Sequence, residues 1–392
     1  MDTLVVSDLH LGTRAGSDLL GGPALRNVLL DSLQDIDRLV LLGDVLELRS
    51  GPVDEATRAA EPCLRAIGQA LGEREVVLVA GNHDYQLVEE WITRLVGAPD
   101  AELEPEQHAQ PAEASALAAT VAGLLAPARV SVAYPGLWLA PGVYATHGHY
   151  LDRHVTLPAF ERLGLAAVER WLAPRRGTVR TGVAGYEAVH APLYALFYAL
   201  AQHAGPTPAR TAGDRRVAAG SDGSVRAWRR LARETRRHTP RTLALLTGLR
   251  LGVAAANRAG LGPLSARLDR NALRNAWLNA MRDVTAVLGV AAEHVIFGHS
   301  HRPGPLARDN LVEWAPARGV QLHNSGSWVY EPQMLGATRA VSPMWPGTAI
   351  RVRPGRAPEL LDLLGDRSRE DLAAALEPTA RLAEFSAVPA QG

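Results

Sequence analysis

The chain has no lysine: all 41 of its basic residues are arginine, and they balance 41 carboxylates to a formal net charge of zero. A chain without net charge exerts no global pull on nucleic acid or on an anionic membrane, so any basic bias is local. The lack of lysine fits genomic base composition, and no function is drawn from it. The single cysteine, Cys63, excludes an intrachain disulfide and fits a reducing compartment. It reads as a small buried hydrophobe on a helix. Aromatics, at 5% of residues, are too few to interleave with arginines as a platform for single-stranded nucleic acid. No run reaches the roughly 18 uninterrupted apolar residues of a spanning helix; His190 and Pro192 break one candidate and Arg250 the other. A strand begins at Thr3-Leu4-Val5-Val6-Ser7, so no signal peptide is expected. The expected location is the cytoplasm. A glycine-rich phosphate loop of the P-loop type is also missing, which argues against a kinase or NTPase.

What the chain does have is a series of short apolar runs that break into polar residues. With 47% hydrophobic residues over 392 positions, there is material for one large domain or two ordinary ones. Residues 3–7 end in Asp8-Leu9-His10-Leu11-Gly12, and Arg38-Leu39-Val40-Leu41-Leu42 ends in Gly43-Asp44-Val45-Leu46-Glu47. Strand 76–80 leads into Gly81-Asn82-His83-Asp84, a strand near 143–146 into His147-Gly148-His149, and strand 294–297 into Gly298-His299-Ser300-His301. A β-branched run that stops at ligand-type residues places them on the loop beyond the strand's carboxyl end. In open α/β sheets that is where sites form. Asp8 and His10, two apart in an extended segment, project to one side.

Any one of these loops is as readily an ordinary turn; five in one order are not. Together they offer two Asp, one Asn and four His, with a further His left over. That is too many for one four-coordinate ion, and it suits two ions sharing a carboxylate. Mixed nitrogen and oxygen donors fit manganese first, with iron or zinc as alternatives, since availability rather than affinity order decides.

This ordered series resembles the calcineurin-like metallophosphoesterase superfamily over about 1–150 and 266–355. The resemblance implies an α/β fold, a four-layer αββα sandwich of two mixed sheets. It implies that Asp8, His10 and His301 hold one metal, that Asn82, His147 and His299 hold the other, and that Asp44 bridges. It makes His83 the catalytic histidine, a general acid or electrostatic stabiliser. Asp84 braces the His83 loop and Glu47 orients His83. Either His147 or His149 could be the ligand; strand phase and family position favour His147. Asp152 could orient a ligand histidine or be a turn aspartate. The implied activity is hydrolysis of a phosphate ester or pyrophosphate by a hydroxide bridging two divalent ions. Within the superfamily, Ser7–Gly12, Asp44-x-x-Glu47, His147-Gly148-His149 and Asn324-Ser325-Gly326-Ser327-Trp328 look most like the branch of the UDP-2,3-diacylglucosamine pyrophosphatases. Those act on a lipid-linked pyrophosphate and carry a helical lid. This chain departs from them in having His83 where arginine is common, and in a larger insertion.

The expected organisation is a core over 1–150 and 266–355, an all-helical insertion over 151–265 and a helical tail over 356–392 with one helix near 358–364. In the core a helix is expected over 54–71, a peripheral loop and then a helix of about 113–125 within 97–127, and strands near 129–134 and 137–140. Within the insertion, helices are expected near 158–172, 186–203, 224–237 and 240–258, and helix 267–288 returns to the α/β rhythm. Arg226, Arg229, Arg230, Arg233, Arg236 and Arg237 fall around much of helix 224–237, which reads first as a solvated face and second as a site for anionic substrate. The run Leu193–Leu200 reads as helical core, with an apolar lip for an acyl chain or peripheral contact with the inner membrane face as lesser alternatives. Expected partners are a phosphorylated small molecule or a lipid-linked or nucleotide-linked pyrophosphate. Nucleic acid is disfavoured, and a nuclease or a metal-binding module without turnover are the competing functions.

Overall fold

A computed structural model describes residues 1–98, 103–172, 181–204, 240–266, 270–315, 319–332, 334–336 and 338–376. The chain forms two compact units, one of Met1–Gly148, Leu196–Arg215 and Ala291–Gly392, the other of His149–Ala195 and Arg216–Val290.

The first unit is an α/β structure built on one mixed sheet. Its strands are β1 (Thr3–Val6), β2 (Arg38–Leu42), β3 (Glu75–Val79), β4 (Glu106–Ala109), β5 (Arg129–Ala140), β6 (Val143–Thr146), β7 (His294–Phe297), β8 (Gln321–Asn324), β9 (Thr348–Val352) and β10 (Glu359–Asp362). They lie in the order β10-β9-β1-β2-β3-β5-β6-β7-β8, with β4 added on β5. β1, β2, β3 and the first half of β5 run parallel, as do β6, β7 and β8. Strands β1, β2 and β6 are buried at every position, and two-sided burial explains why β1 and β2 read as near-continuous Val/Leu runs rather than alternating ones. Each fully buried Val or Leu contributes about 1.5–3 kcal/mol.

β5 joins the two halves of the sheet. Two short strands are expected near 129–134 and 137–140; the structure has one strand of 12 residues that changes partner midway. Arg129–Ala133 pair parallel with β3, and Gly136–Ala140 pair antiparallel with β6. The change falls at Pro135, which has no N–H to donate to a ladder. Past that point the sheet turns back on itself. Val5, Val40, Val77 and Ala133 share one apolar cluster with Leu137, Ala145 and Ile296. Arg38 Nη2 on β2 donates to the Leu139 carbonyl across it, at 3.1 Å. The carboxyl ends of β1 and β7, with β2, β3, β5 and β6 between them in the sheet, therefore meet. At Gly298 a Cβ would overlap the Ser7 hydroxyl.

Three expectations need correction in this unit. The helix expected near 358–364 is β10, which pairs antiparallel with β9, because the open edge of β9 offers the segment backbone partners. The helix expected over about 113–125 is two, Pro111–Ala114 and Ala116–Leu124, because Ser115 leaves the helix and its hydroxyl caps the second by accepting from Ala118 N at 3.0 Å. Within the stretch expected to be a peripheral loop lies β4. Helix Val53–Leu71 forms as expected, with Asp54 and Glu55 in its first turn complementing the dipole. It holds Cys63, whose thiol burial pushes up to about 12.

The second unit is helical among its described residues: a short turn of helix at His149–Arg153, then Phe160–Trp171, most of Gly182–Gln202, Pro240–Arg258 and Arg270–Leu288. Its interior is partly polar. The Tyr150 and Tyr186 rings stack at 4.3 Å, the Tyr150 hydroxyl donates to Glu187, and His154 Nε2 lies 2.6 Å from the Tyr186 hydroxyl. Burial pushes His190 down to about 4, so it is neutral. The helix expected near 224–237, with the arginines from Arg226 to Arg237, lies outside the described residues. Among the described residues no helix is long and apolar enough to cross a membrane.

Candidate metal centre

The parallel registers align the strand ends: Val6 is followed in β2 by the level of Leu41, Leu42 pairs with Val79, Val79 with Ala133, and Phe297 with Asn324. The loops that follow are laced together by backbone bonds beyond the strands. Asp8 N donates to Gly43 O, His10 N to Asp44 O, Gly298 N to His147 O and Trp328 N to Asp8 O, all at 2.8–3.0 Å. Loops held this tightly present their side chains from a rigid frame.

The backbone at these loops is strained in one consistent way. Asp8, His10, Asp44, His299 and His301 have φ of 55°, 46°, 52°, 62° and 53°, and among the described residues they are the only non-glycine residues with positive φ. Asp and His tolerate this left-handed region better than most residues, yet each such residue costs roughly 1–3 kcal/mol and persists only where its surroundings dictate it. All of them are expected ligands. Gly43, between two of the buried stretches, has φ of 85°, and a Cβ there would overlap the His147 ring, so only glycine fits.

The side chains converge in three overlapping groups: Asp8, His10 and His301; His10, Asp44 and His83; Asp44, His147 and His299. Asp8 Oδ1 lies 3.2 Å from His301 Nε2, and His10 Nε2 lies 3.2 Å from His301 Nε2. On the other side His147 Nε2 lies 3.2 Å from Asp44 Oδ2 and 3.3 Å from Asn82 Oδ1. Asp44 Oδ2 is also 3.7 Å from His10 Nε2, which puts this carboxylate between the two groups. Ligand atoms bound at about 2.0–2.1 Å around a tetrahedral ion stand about 3.3 Å apart, so the spacing fits two ions. The tautomers fit too. His10 Nδ1 faces Glu47 Oε2 at 3.0 Å, His301 Nδ1 faces Glu331 Oε2 at 3.3 Å and His147 Nδ1 faces the Leu42 carbonyl at 2.9 Å. Carboxylates and carbonyls only accept, so in the neutral ring each Nδ1 carries the proton and each Nε2 offers a lone pair. Two lone pairs 3.2 Å apart, on His10 and His301, call for a cation or a shared proton between them. Asp8 is set the same way: Oδ2 accepts from the Ser7 hydroxyl and from His299 N at 3.0 Å, and Oδ1, buried, has no well-aligned donor.

The remaining expected residues support this arrangement. Glu47 Oε2 accepts from His83 Nδ1 at 2.8 Å as well as from His10, so one carboxylate orients both rings. The His10 and His83 rings meet edge to face at 4.6 Å. Asp84 is fully buried and accepts from Gly81 N (2.7 Å), Asp44 N (3.2 Å), Val45 N (2.7 Å) and Leu46 N (3.3 Å). It thus ties the Asn82 loop to the Asp44 loop. His149 stands elsewhere: its ring packs on Tyr150 and Tyr194 in the helical unit, and Asp152 lies in the turn that follows it. Sequence reasoning missed Glu331 and Arg49, neither of which sits in a recognisable block. Asn324 and Ser325, in the late polar block at the end of β8, also tie these loops together. Asn324 Nδ2 donates to Gly298 O at 2.8 Å, and Ser325 Oγ lies 2.7 Å from Ser7 Oγ.

Electrostatics follow from this packing. Burial alone would raise Asp8 and Asp44, but surrounding histidines outweigh it and hold both carboxyls below the usual aspartate range, Asp44 well below. Burial is likewise outweighed by His83 and His10 at Glu47, and by His301 at Glu331, leaving both low. Burial would lower the ligand histidines. Asp44 instead lifts His147 to about 9, Glu47 lifts His10, and Asp8 lifts His301 well above its ordinary value. His83 is pushed down by burial, against the pull of Glu47 and Asp44. Asp84 is raised to about 6 by burial and by Asp44.

Two outcomes are expected. Histidines whose folded pKa lies above the ordinary 6.5 contribute stability that is fully present below pH 6.5 and lost as pH rises through the folded value. Metal-free protein in chelator should therefore lose urea stability between pH 6.5 and about 9, the value of His147, and added manganese should remove that loss by displacing the protons. A flat profile in chelator would contradict the pairing. Separately, Glu331→Ala should weaken manganese binding at the Asp8 group by about 10–100-fold, read by metal titration, because His301 loses the carboxylate that sets its tautomer. A scan of protein-family models and a search of curated proteins find no match to this chain, so its geometry carries the functional reading.

Proposed function

We propose that the protein is a dinuclear metal-dependent phosphoesterase of the calcineurin-like type, with the four-layer αββα arrangement in which a sheet turned back on itself forms the two inner layers. The observation that carries this reading is the convergence of His10 and His301 Nε2, 3.2 Å apart, each ring backed by a carboxylate at Nδ1. Asp8, His10 and His301 would hold one ion and Asn82, His147 and His299 the other, with Asp44 between. Two divalent ions, manganese first, would supply an activated water at neutral pH and neutralise charge on a phosphate ester or pyrophosphate.

The chain's own residues do the rest. Glu47 fixes His83 through Nδ1, so Nε2 is the atom turned toward substrate. From there His83 stabilises a phosphoryl oxygen, or passes a proton to the leaving oxygen. Asp84 keeps Asn82 and His83 in register with Asp44 through backbone bonds. The strained ligand backbone keeps the donors prearranged, which spares reorganisation when charge develops. A phosphorylated small molecule or a lipid-linked pyrophosphate fits this chemistry.

The test is hydrolysis of chromogenic phosphomonoester, phosphodiester and pyrophosphate compounds with added manganese. His83→Ala should keep two metals per chain and lose about 10²–10⁴-fold in activity. Failure of the wild type to bind manganese would sink the proposal.

A further inference from the structure

The helical unit buries a cation that has no acceptor. Arg162 is the third residue of the helix Phe160–Trp171, and only 4% of it is exposed. Its Nε and Nη1 are buried without a hydrogen-bond partner, and among the described residues the side chain has no ion pair. The packing around it fixes this burial. Leu165, Ala166 and Val168 are buried on the same helix. At Gly164 that helix approaches Gly182–Gln202 so closely that a Cβ would stand 3.0 Å from Leu193 Cδ1. Arginine does not escape the cost of burial by losing its proton, and a buried charge is ordinarily paired.

The surrounding charges do not balance it. Burial pushes the Arg162 guanidinium down, Glu169 on the same helix pulls against that push, and Arg153 adds to it. Glu169 is already claimed, because Arg153 Nη2 donates to its Oε1 at 2.6 Å. Two guanidinium groups therefore share one carboxylate. The other carboxylates of this region are taken too: Asp283 pairs with Arg282 at 3.3 Å, and Glu187 accepts from the Tyr150 hydroxyl. Arg153 also lies over the Tyr186 ring, 5.6 Å from its centre, and the Tyr186 hydroxyl is 2.6 Å from His154 Nε2. Burial holds His154 low against the pull of Asp283, and both arginines add to that push. The result is a local positive excess with buried donors.

We propose that the helical unit contains a binding site for a phosphate-type oxyanion, with Arg162 as its principal donor and Arg153 at its edge. The oxygens of the anion supply the acceptors that the Arg162 guanidinium lacks. Phosphate brings more oxygens and more charge than a carboxylate, and so answers both the donors and the positive excess. No metal takes part, so the site stands whether or not the centre in the sheet unit is a phosphoesterase site.

The experiment uses the full chain in chelator, which removes metal-bound phosphate from the measurement. Binding of inorganic phosphate by calorimetry, and the thermal midpoint with and without it, are read for wild type, Arg162→Met and Glu169→Gln. Wild type is expected to bind one phosphate per chain more than Arg162→Met, and its midpoint should rise with phosphate concentration. Arg162→Met exchanges the buried charge for an apolar chain, so it should be at least as stable as wild type in phosphate-free buffer and lose the phosphate-dependent rise. Glu169→Gln removes the shared carboxylate and should tighten phosphate binding by about fivefold. Equal phosphate binding by wild type and Arg162→Met, including none by either, overturns the proposal. If Arg162→Met does not fold, Glu169→Gln decides, and phosphate binding no tighter than that of wild type rejects the site.

Discussion

Asp44→Ala should cost the protein both metals and reduce hydrolysis by on the order of a thousandfold or more. Asp44 Oδ2 lies 3.2 Å from His147 Nε2 and 3.7 Å from His10 Nε2, one ligand from each group, and Oδ1 accepts from His83 N at 2.8 Å. Truncation therefore removes a donor from both ions and a fastening of the His83 loop at once. The metal-free fold loses the Asp44 pairing with His147 and the bond to His83 N, a loss partly offset because the like-charge repulsion on Asp84 disappears. The diagnostic is thermal stability with and without manganese. A ligand held at a hundred times its Kd adds about 2.7 kcal/mol, and that gain should be present in wild type and missing in Asp44→Ala. Full metal content in the variant would show that Asp44 is not shared.

Asp84→Ala should act on stability instead. Its two oxygens accept from four buried backbone N–H groups on two loops, and alanine leaves all four without an acceptor. A buried donor left unmade costs about 1–3 kcal/mol; with partial relaxation the loss should be about 3–5 kcal/mol, at the upper end for a point substitution. Loss of Glu47, which orients side chains, should disturb activity before stability. Chemical unfolding of the two metal-free variants separates these roles. A shift below about 1 kcal/mol for Asp84→Ala would mean that solvent reaches those N–H groups.

How much of this was legible in sequence differs from element to element. The strands β1, β2, β3 and β7 were readable because two-sided burial demands near-unbroken apolar runs, and the loops after them were readable because each follows such a run. β10 and β4 were not. Both are short edge segments without a strand's pattern, and each forms because a neighbouring edge, β9 or β5, supplies its hydrogen bonds. The break at Ser115 was hidden because an alanine-rich segment reads as one helix until a capping hydroxyl intervenes.

Sequence by itself determined the donor types on offer and the loops on which they stand. Residue type sets donor chemistry, and position after a strand sets the edge of the sheet. Tertiary structure decided which donors face one another. The meeting of the β1 and β7 loops depends on the turn of the sheet at β5, and the left-handed backbone at Asp8, His10, Asp44, His299 and His301 is imposed by packing against local preference. Glu331 and Arg49 became visible only there. Their partners, His301 at 3.3 Å and His83 at 3.5 Å, come from other loops, and a contact between separate loops leaves no periodic trace in the chain.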